Sequence, residues 1–307
     1  MKPALAILAA AVLLLAGCGS NGSHPAATTQ PSLGALRLIK ATGKTMRFAG
    51  GPTQHFESAY FLLKPRAAVT YLWSCTGFGP RSSFSATLQD ADASSSDQMA
   101  DTTRGDAPLG NGGFANLDST DGRITTQAYN VLVTASRCRW SLTVLFGSPA
   151  LARYVNGDLS FSLDFDPTSG YLFPVRRLSV SEARALGGTR GVLVGLISAT
   201  SKTGRAVLSV RAVTGASAAA VRPTQVEALV PNGPVHVSRP QRTSLDGLPG
   251  YRIRMWTNGP QRWSSYIYLI ASGSFRYEVA EAWTSGAPVY ERTLRGLLKS
   301  FTFLGRR

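Results

Sequence analysis

Two cysteines, each with a tryptophan two residues away, constrain the fold of this chain more than any other feature. Trp73 precedes Cys75, and Trp140 follows Cys138. Both pairs lie in short β-prone runs, and residues two apart in a strand face the same side of a sheet. Each tryptophan is therefore expected beside its cysteine. The pattern predicts a β core in which both cysteines are packed against indole rings.

The N-terminal segment predicts export. Lys2 is followed by an apolar run over residues 4–16. That run is too short and too close to the N-terminus to be a membrane span, and it is typical of a secretory signal.

The residues directly after the apolar run predict a lipid anchor. Leu-Ala-Gly-Cys at positions 15–18 resembles the lipobox of bacterial lipoproteins, in which the cysteine thiol is acylated and the chain is cut just before it. The resemblance implies a signal peptide over residues 1–17, acylation of Cys18, and attachment to the outer face of the cytoplasmic membrane. An ordinary secretory signal followed by a coincidental cysteine is the alternative.

Export also determines how the other two of the three cysteines are interpreted. In an oxidising compartment, a remaining pair is most simply a disulfide, so we predict a bond between Cys75 and Cys138. A metal or catalytic role would need partners, and the three histidines, His24, His55 and His236, lie far from both cysteines in sequence. We therefore expect no metal site.

The N-terminal half is expected to be a tether followed by a β domain. Residues 18–34 are mostly small and polar with almost no charge, which is typical of a flexible linker. Residues 35–149 contain short β-prone runs separated by turn-rich segments, so a β-sandwich or jelly roll is predicted. The predicted strands lie at 60–63, 68–74, 84–88, 122–133 and 140–146. The segments 73–77, 83–88 and 136–142 resemble small exported β-domains of Gram-positive bacteria, which have no established activity.

Residues 150–307 have an α+β pattern. Helices are predicted from Ser179 through about residue 186, from Pro223 through Val230, and from near Pro288, with Leu294, Leu297, Leu298 and Phe301 on one apolar face. The predicted strands lie at 159–165, 191–199, 205–213, 251–256, 263–271 and 275–283. The class predicted for the whole chain is therefore α+β.

A family resemblance lies within this second half. It is carried by Leu-Pro-Gly-Tyr at 248–251, Ser-Ser-Tyr-Ile-Tyr-Leu-Ile at 264–270, Arg-Tyr-Glu-Val-Ala at 276–280 and Lys-Ser-Phe at 299–301. This order is similar to the PsbP-like domains, including the LpqN-type lipoproteins of actinobacteria. The resemblance implies an α/β/α sandwich with an antiparallel sheet, and a binding or scaffolding module without catalysis.

The chain has a formal net charge of +15, and the excess lies mainly in the second half. Residues 150–307 hold 20 Lys and Arg against 9 Asp and Glu, whereas residues 26–149 hold 11 against 8. Such a field attracts anionic lipid headgroups or acidic wall polymers. Codon bias is an equal alternative, because 26 of the 32 positive residues are arginine. Nucleic acid is not an expected partner of an exported protein.

Aromatic and arginine side chains alternate in the predicted strands near residues 251–268. They form a candidate ligand groove for a carbohydrate or an acyl chain, and the alternative is that the rings pack in the core. The candidate residues are Arg252, Arg254, Trp256, Trp263, Tyr266 and Tyr268.

Catalytic motifs are absent from the sequence. It contains no Gly-x-Ser-x-Gly and no His-Glu-x-x-His, and Glu278 and Glu281 are three apart on a strand, hence on opposite faces. A Ser-His-Asp triad assembled from distant residues, with His55 or His236 as the base, is the remaining catalytic alternative.

We therefore predict a membrane-anchored envelope lipoprotein without catalytic residues or a cofactor. It would bind a partner protein or a cell-wall component. The alternative is a carrier of a small apolar or glycolipid ligand in the C-terminal domain.

Overall fold

A computed structural model of the 307-residue chain provides the fold. It describes residues 34–64, 67–77, 81–91, 96–101, 109–114, 127–167, 171–172, 175–177, 190–198, 206–214, 221–229, 235–258, 263–273, 275–284 and 288–305. The predicted signal peptide, Cys18, nearly all of the predicted tether and the helix predicted from Ser179 lie outside these residues.

The described part of the first half of the chain contains nine strands. They are β1 (Ala35–Gly50), β2 (Thr53–Glu57), β3 (Phe61–Leu63), β4 (Val69–Thr76), β5 (Ser83–Asp90), β6 (Ser96–Asp101), β7 (Leu109–Phe114), β8 (Gln127–Ser136) and β9 (Arg139–Asn156).

The second half adds eleven strands and two helices to the described structure. The strands are β10 (Phe161–Phe165), β11 (Tyr171–Leu172), β12 (Val175–Arg177), β13 (Arg190–Ser198), β14 (Ala206–Thr214), β15 (His236–Val237), β16 (Gln241–Leu245), β17 (Leu248–Trp256), β18 (Trp263–Ser272), β19 (Phe275–Thr284) and β20 (Thr302–Phe303). The helices are α1 (Pro223–Glu227) and α2 (Pro288–Lys299). The helices predicted at Pro223 and Pro288 are confirmed, although α1 ends earlier than expected.

The strands pair antiparallel in two main arrays. One has the order β2-β8-β5-β6, with β3 also paired to β8. The other has the order β15-β17-β18-β19-β14-β13-β12-β7-β4-β9-β10-β20, with β1 paired to β9, β11 to β13 and β16 to β17. The first array packs on the β1, β4 and β9 part of the second, and their facing side chains form the N-terminal core.

The 18-residue strand β9 belongs to two hydrophobic cores. Its first part, including Trp140 and Leu142, lies in the N-terminal core, and its last part, including Ala152 and Tyr154, lies in the C-terminal core. The predicted boundary between residues 149 and 150 falls inside this strand. Turn residues there suggest a strand end, but β1 stays paired with β9 on both sides of them and accommodates them by register shifts between Leu38 and Thr42.

The disulfide predicted between Cys75 and Cys138 is confirmed. Their Cα atoms are 5.4 Å apart, and both residues are almost completely buried in the N-terminal core. Trp73 and Trp140 belong to the same core, on either side of Phe84, with ring centroids 5.3 and 6.1 Å from that phenyl ring. The crosslink therefore lies among aromatic side chains.

Helix α2 is held in the C-terminal core by its apolar face. Leu294, Leu297 and Leu298 are buried there, and Phe301, just after the helix, stacks on Phe161 with centroids 5.1 Å apart. The hydroxyl of Ser300 accepts a hydrogen bond from the Asp164 amide and donates to the Asp164 carbonyl. These contacts join the end of α2 to β10.

The α/β/α sandwich predicted for residues 150–307 is wrong, and the chain is mostly β rather than α+β. On one face of the β17-β18-β19-β14 sheet, α1 has only five residues and places Val226 against Ile253 and Met255. On the other face, α2 shares the core with β9, β10 and β20. β9 and β10, which have alternating apolar residues, pair with each other as strands. They therefore occupy part of the face on which a complete layer of helices would have to pack.

Replacing Cys75 and Cys138 together by alanine is expected to lower the free energy of unfolding. The crosslinked residues are 63 apart, and a loop of that size corresponds to about 4 kcal/mol at most in the chain-entropy description. Urea unfolding of the full chain, followed by tryptophan fluorescence, measures the difference. The Cys18→Ala variant is the control, because it also removes a thiol but leaves the crosslink. An unchanged transition in the double variant would contradict a stabilising role.

Candidate functional site

The site residues predicted on β17 and β18 are brought together by strand alternation and register. Arg252, Arg254 and Trp256 are two apart on β17 and share one face. Arg252 is opposite Tyr268, and Arg254 is opposite Tyr266 on β18. Five of the six candidate groove residues therefore lie on the same face as α2.

Trp263 lies on the other face of the sheet. It is 5% exposed and packs in the small core that contains Val226 and Ile267. Because it is an odd-numbered residue on β18, like Ile267, its side chain points away from Tyr266 and Tyr268. The core role that the sequence left as the alternative therefore holds for Trp263. It also holds in part for Tyr268, which is 8% exposed and belongs to the C-terminal core.

Arginine and aromatic side chains alternate across the shared face in a row that we call the arginine ladder, formed by Arg252, Tyr266, Arg254 and Trp256. The Arg252 guanidinium carbon lies 5.3 Å from the Tyr266 ring centroid. The Arg254 guanidinium carbon lies 5.4 Å from the centroid of Trp256 and 6.0 Å from that of Tyr266. These are cation–π distances.

The ladder adjoins a cavity between the sheet and α2, which we call the basic groove. It has a volume of about 450 Å³ and is open to solvent. Residues 243–246 line one side, with Arg252, Tyr266 and Tyr268 from the sheet. Helix α2 supplies Arg295, Leu298 and Lys299, which sequence reasoning did not assign to the site because they are distant in the chain.

Positive charge exceeds negative charge in the described lining of the groove. Arg252, Arg295 and Lys299 are its cations and Asp246 is its carboxylate. Asp246 accepts a hydrogen bond from the Phe303 amide, which ties it to the backbone. Arg295 is paired with Glu291 one helical turn away, an exposed contact of small energy.

The two arginines of the ladder lack carboxylate partners among the described residues. Arg252 donates through Nε and Nη2 to the neutral Gln241 side chain at 3.3 and 3.2 Å. The Arg254 guanidinium is exposed and has no ion pair or side-chain hydrogen bond in this part of the chain. Their positive charge is therefore available to an anion.

Glu281 lies buried beneath the groove, on the β19 position opposite Tyr266. It is 1% exposed, and its Oε1 accepts a 2.9 Å hydrogen bond from the Tyr268 hydroxyl. Its Oε2 has no hydrogen-bond partner within the described structure. Burial raises the pKa of Glu281 to about 7, against the opposing effects of the Tyr268 hydrogen bond and the charges of Arg295 and Arg252. Burial therefore keeps the proton on this carboxyl to a higher pH than on an exposed glutamate.

Sequence reasoning placed Glu281 on the face opposite Glu278, and the structure agrees. Glu278 on β19 is opposite Arg211 on β14 and forms a buried ion pair with it, and Arg276 is nearby. Burial and the charge of Arg276 lower the pKa of Arg211 to about 10. Each glutamate therefore has its own environment. The signal that marks Glu281 in the sequence is a single carboxyl group within the apolar run at 279–283.

The two histidines considered as catalytic bases contact neutral groups. His55 is exposed, with Nδ1 3.3 Å from the Thr134 hydroxyl. His236 is also exposed, stacks on Trp256 at 5.4 Å, and has Nε2 2.9 Å from the Asn258 amide nitrogen. Neither forms an ion pair with a carboxylate in the part of the chain that the structure describes.

The described ranges contain neither a membrane-spanning helix nor a cluster of metal ligands. Neither α1 nor α2 has the length and apolar character needed to cross a bilayer. No group of three metal-ligating side chains is found within these ranges.

Comparison with known proteins does not assign the chain to a family. No protein-family model matches it, and no curated protein matches it significantly. The resemblances to bacterial lipoproteins and to the PsbP-like domains stay predictions from the sequence.

The buried carboxyl makes the stability of the protein dependent on pH. The pKa of Glu281 is about 7 when folded and near its ordinary value of 4.5 when unfolded, so the folded state holds the proton more tightly. Its contribution to stability is full below pH 4.5 and is lost as the pH rises to about 7. The loss is about 3 kcal/mol at most.

The Glu281→Gln variant is expected to lose this pH dependence, because glutamine keeps the acceptor for Tyr268 but cannot ionise. Relative to the wild type, the variant becomes more stable as the pH is raised from 5 to 8. Urea unfolding at pH 5, 6, 7 and 8 measures the change. Glu227→Gln, at an exposed position on α1, is the control and should leave the pH profile unchanged. Parallel profiles for wild type and Glu281→Gln would contradict the assignment.

Proposed function

We propose that this protein is a lipid-anchored envelope protein without catalytic activity, and that its basic groove binds a component of the cell wall. The observation that carries the proposal is the groove itself, an open cavity of about 450 Å³ whose described lining has three cations and one carboxylate. A concave site of this volume is large enough for a small ligand or a segment of a polymer.

The sequence supports the location in this proposal. The apolar run at 4–16 and the Leu-Ala-Gly-Cys motif at 15–18 predict export and acylation of Cys18. The disulfide between Cys75 and Cys138 is consistent with an oxidising compartment. A protein held at the outer membrane surface by its N-terminus would be within reach of wall polymers.

Binding accounts for the site better than catalysis does. His55 and His236 contact neutral groups, and neither has, among the described residues, the carboxylate that orients a histidine base in a Ser-His-Asp triad. Glu281 is covered by Tyr268 and is 1% exposed, which keeps its carboxyl group away from a ligand in the groove.

The second candidate function is that of a ligand carrier. The cavity volume favours it, since it lies in the range of small-molecule sites. The lining does not favour a purely apolar cargo, because Leu245 and Leu298 are its only aliphatic side chains among the described residues. A carried ligand would therefore need an anionic group as well as an apolar part.

Sedimentation with purified cell-wall fragments tests the proposal. The full chain with Cys18→Ala is used, so that a lipid anchor cannot produce the association. We expect this protein to sediment with the fragments, and Lys299→Glu to weaken the association severalfold because it places a negative charge in the groove. Arg292→Glu is the matched control, since it makes the same change at an exposed position of α2 that is absent from the groove lining.

Two outcomes would count against wall binding. No sedimentation of the Cys18→Ala chain would contradict the proposal directly. Equal losses in Lys299→Glu and Arg292→Glu would show that general charge, and not the groove, causes the association. A small ligand released on denaturation, detected by native mass spectrometry, would favour the carrier.

A further inference from the structure

We propose that Arg252 and Arg254 form a two-point binding site for a wall polymer that carries repeated anionic groups, with successive anions bound by successive guanidinium groups. The inference rests on the proposed function and deepens it by naming the chemistry of the ligand. It follows from the spacing of the two arginines, the way their side chains are held, and the polar groups beside them.

The spacing of the site comes from strand geometry. Arg252 and Arg254 are two apart on β17, so their Cα atoms are roughly 7 Å apart and their side chains lie on one face. Gln241 holds the Arg252 guanidinium and Trp256 holds that of Arg254, so the two cations have separate anchors along the strand. They match a chain in which one charged group follows another at a similar distance.

The aromatic rings of the ladder hold both guanidinium groups. The Tyr266 ring centroid lies 5.3 Å from the guanidinium carbon of Arg252 and 6.0 Å from that of Arg254. The Trp256 ring centroid lies 5.4 Å from the guanidinium carbon of Arg254. Stacking on a ring occupies the flat face of a guanidinium and leaves its N–H edge for hydrogen bonds. The N–H edge of Arg254 can bind a carboxylate or phosphate group through two parallel hydrogen bonds. In Arg252, Nε and Nη2 already donate to Gln241, so an anion that binds this edge would take the place of the Gln241 side chain.

Neither arginine of the ladder forms an ion pair among the described residues, although Arg252 interacts electrostatically with the buried Glu281. Arg252 donates to the neutral Gln241, and Arg254 is exposed without a carboxylate partner in the described residues. Lys299 and Arg295 extend the positive surface into the basic groove. An anionic polymer on the ladder would therefore continue along a surface of favourable charge.

The neighbouring groups favour a polyol or sugar backbone over a peptide. Thr243, Ser244 and Tyr266 place three hydroxyl-bearing side chains along the groove, beside Tyr268, whose hydroxyl donates to Glu281. Among the described residues, the aliphatic part of the lining is limited to Leu245 and Leu298. Hydroxyl groups can both donate to and accept from ligand hydroxyls. The predicted export likewise favours a wall polymer over nucleic acid.

Binding of a synthetic glycerol-phosphate oligomer, compared with monomeric glycerol 3-phosphate, tests the inference. The full chain with Cys18→Ala is titrated with each probe by calorimetry at several salt concentrations. We expect the oligomer to bind at least about tenfold more tightly than the monomer, since two linked anions engage two sites. Arg252→Gln and Arg254→Gln should each remove most of this gain and reduce the salt dependence by about one counterion.

The matched control is Arg242→Gln. Arg242 is opposite Tyr251 in the β16-β17 pair, so it lies on the other face of the same sheet and its replacement removes the same charge. It should leave oligomer binding unchanged. Thermal unfolding of all three variants checks that each has kept its fold. Equal affinity for monomer and oligomer, or an equal loss in the Arg242→Gln variant, would overturn the two-point site.

Additional probes identify the source of the anion. A polygalacturonate oligomer tests carboxylates in place of phosphates, and stronger binding of it would assign the ladder to an acidic glycan. Preferential binding of polyglutamate, of single-stranded DNA, or of vesicles with anionic lipid would overturn the wall polymer as the ligand. If wall fragments bind in a Lys299-dependent manner but no oligomer binds, the inference fails while the proposed function stands. If neither binds, both fail.

Discussion

The pairing of β9 with its neighbours is the constraint on which the rest of the structure depends. This strand pairs with β1 along one edge, and with β4 and then β10 along the other. Its side chains enter the N-terminal core near Trp140 and the C-terminal core near Tyr154. A slip of one residue would turn both sets of buried side chains to the wrong face, so this register positions both cores together.

The groove exists because α2 covers only part of a sheet face. Tyr277, Val279 and Trp283 are buried in the C-terminal core on the covered part. Arg252, Arg254 and Trp256 lie on the same face, but on β17, which is two strands away from β19 in the sheet. There their charged or polar groups reach solvent. The aromatic rings at this border pack against the core on one side and against guanidinium groups on the other, so a single set of side chains serves stability and recognition.

The two glutamates of β19 show how environment separates chemically identical groups. Glu278 is buried with Arg211, which compensates its charge. Glu281 is buried with a tyrosine, which supplies one hydrogen bond but no charge, and its pKa rises as a result. Ionisation of Glu281 would also attract Arg252 and Arg295, the cations that the proposed ligand needs. Binding of an anion and protonation of this carboxyl should therefore favour each other.

The sequence by itself determined part of the local structure of this protein, although the long strand β1 was not among the predicted strands. Period-two patterns located strands such as β17 and β18, and Pro223 and the spacing of Leu294, Leu297 and Phe301 located the helices. The cysteine count, together with the predicted export, predicted the disulfide. These features depend on neighbouring residues or on simple pairing chemistry.

Tertiary structure decided what the patterns could not. Strands rather than a helical layer cover the C-terminal sheet, Trp263 and Tyr266 lie on opposite faces, and Glu281 lies beneath Tyr268. Each of these depends on which distant segment packs on a given surface. The apolar area that each arrangement buries, and so its free energy, is defined only for the whole folded chain.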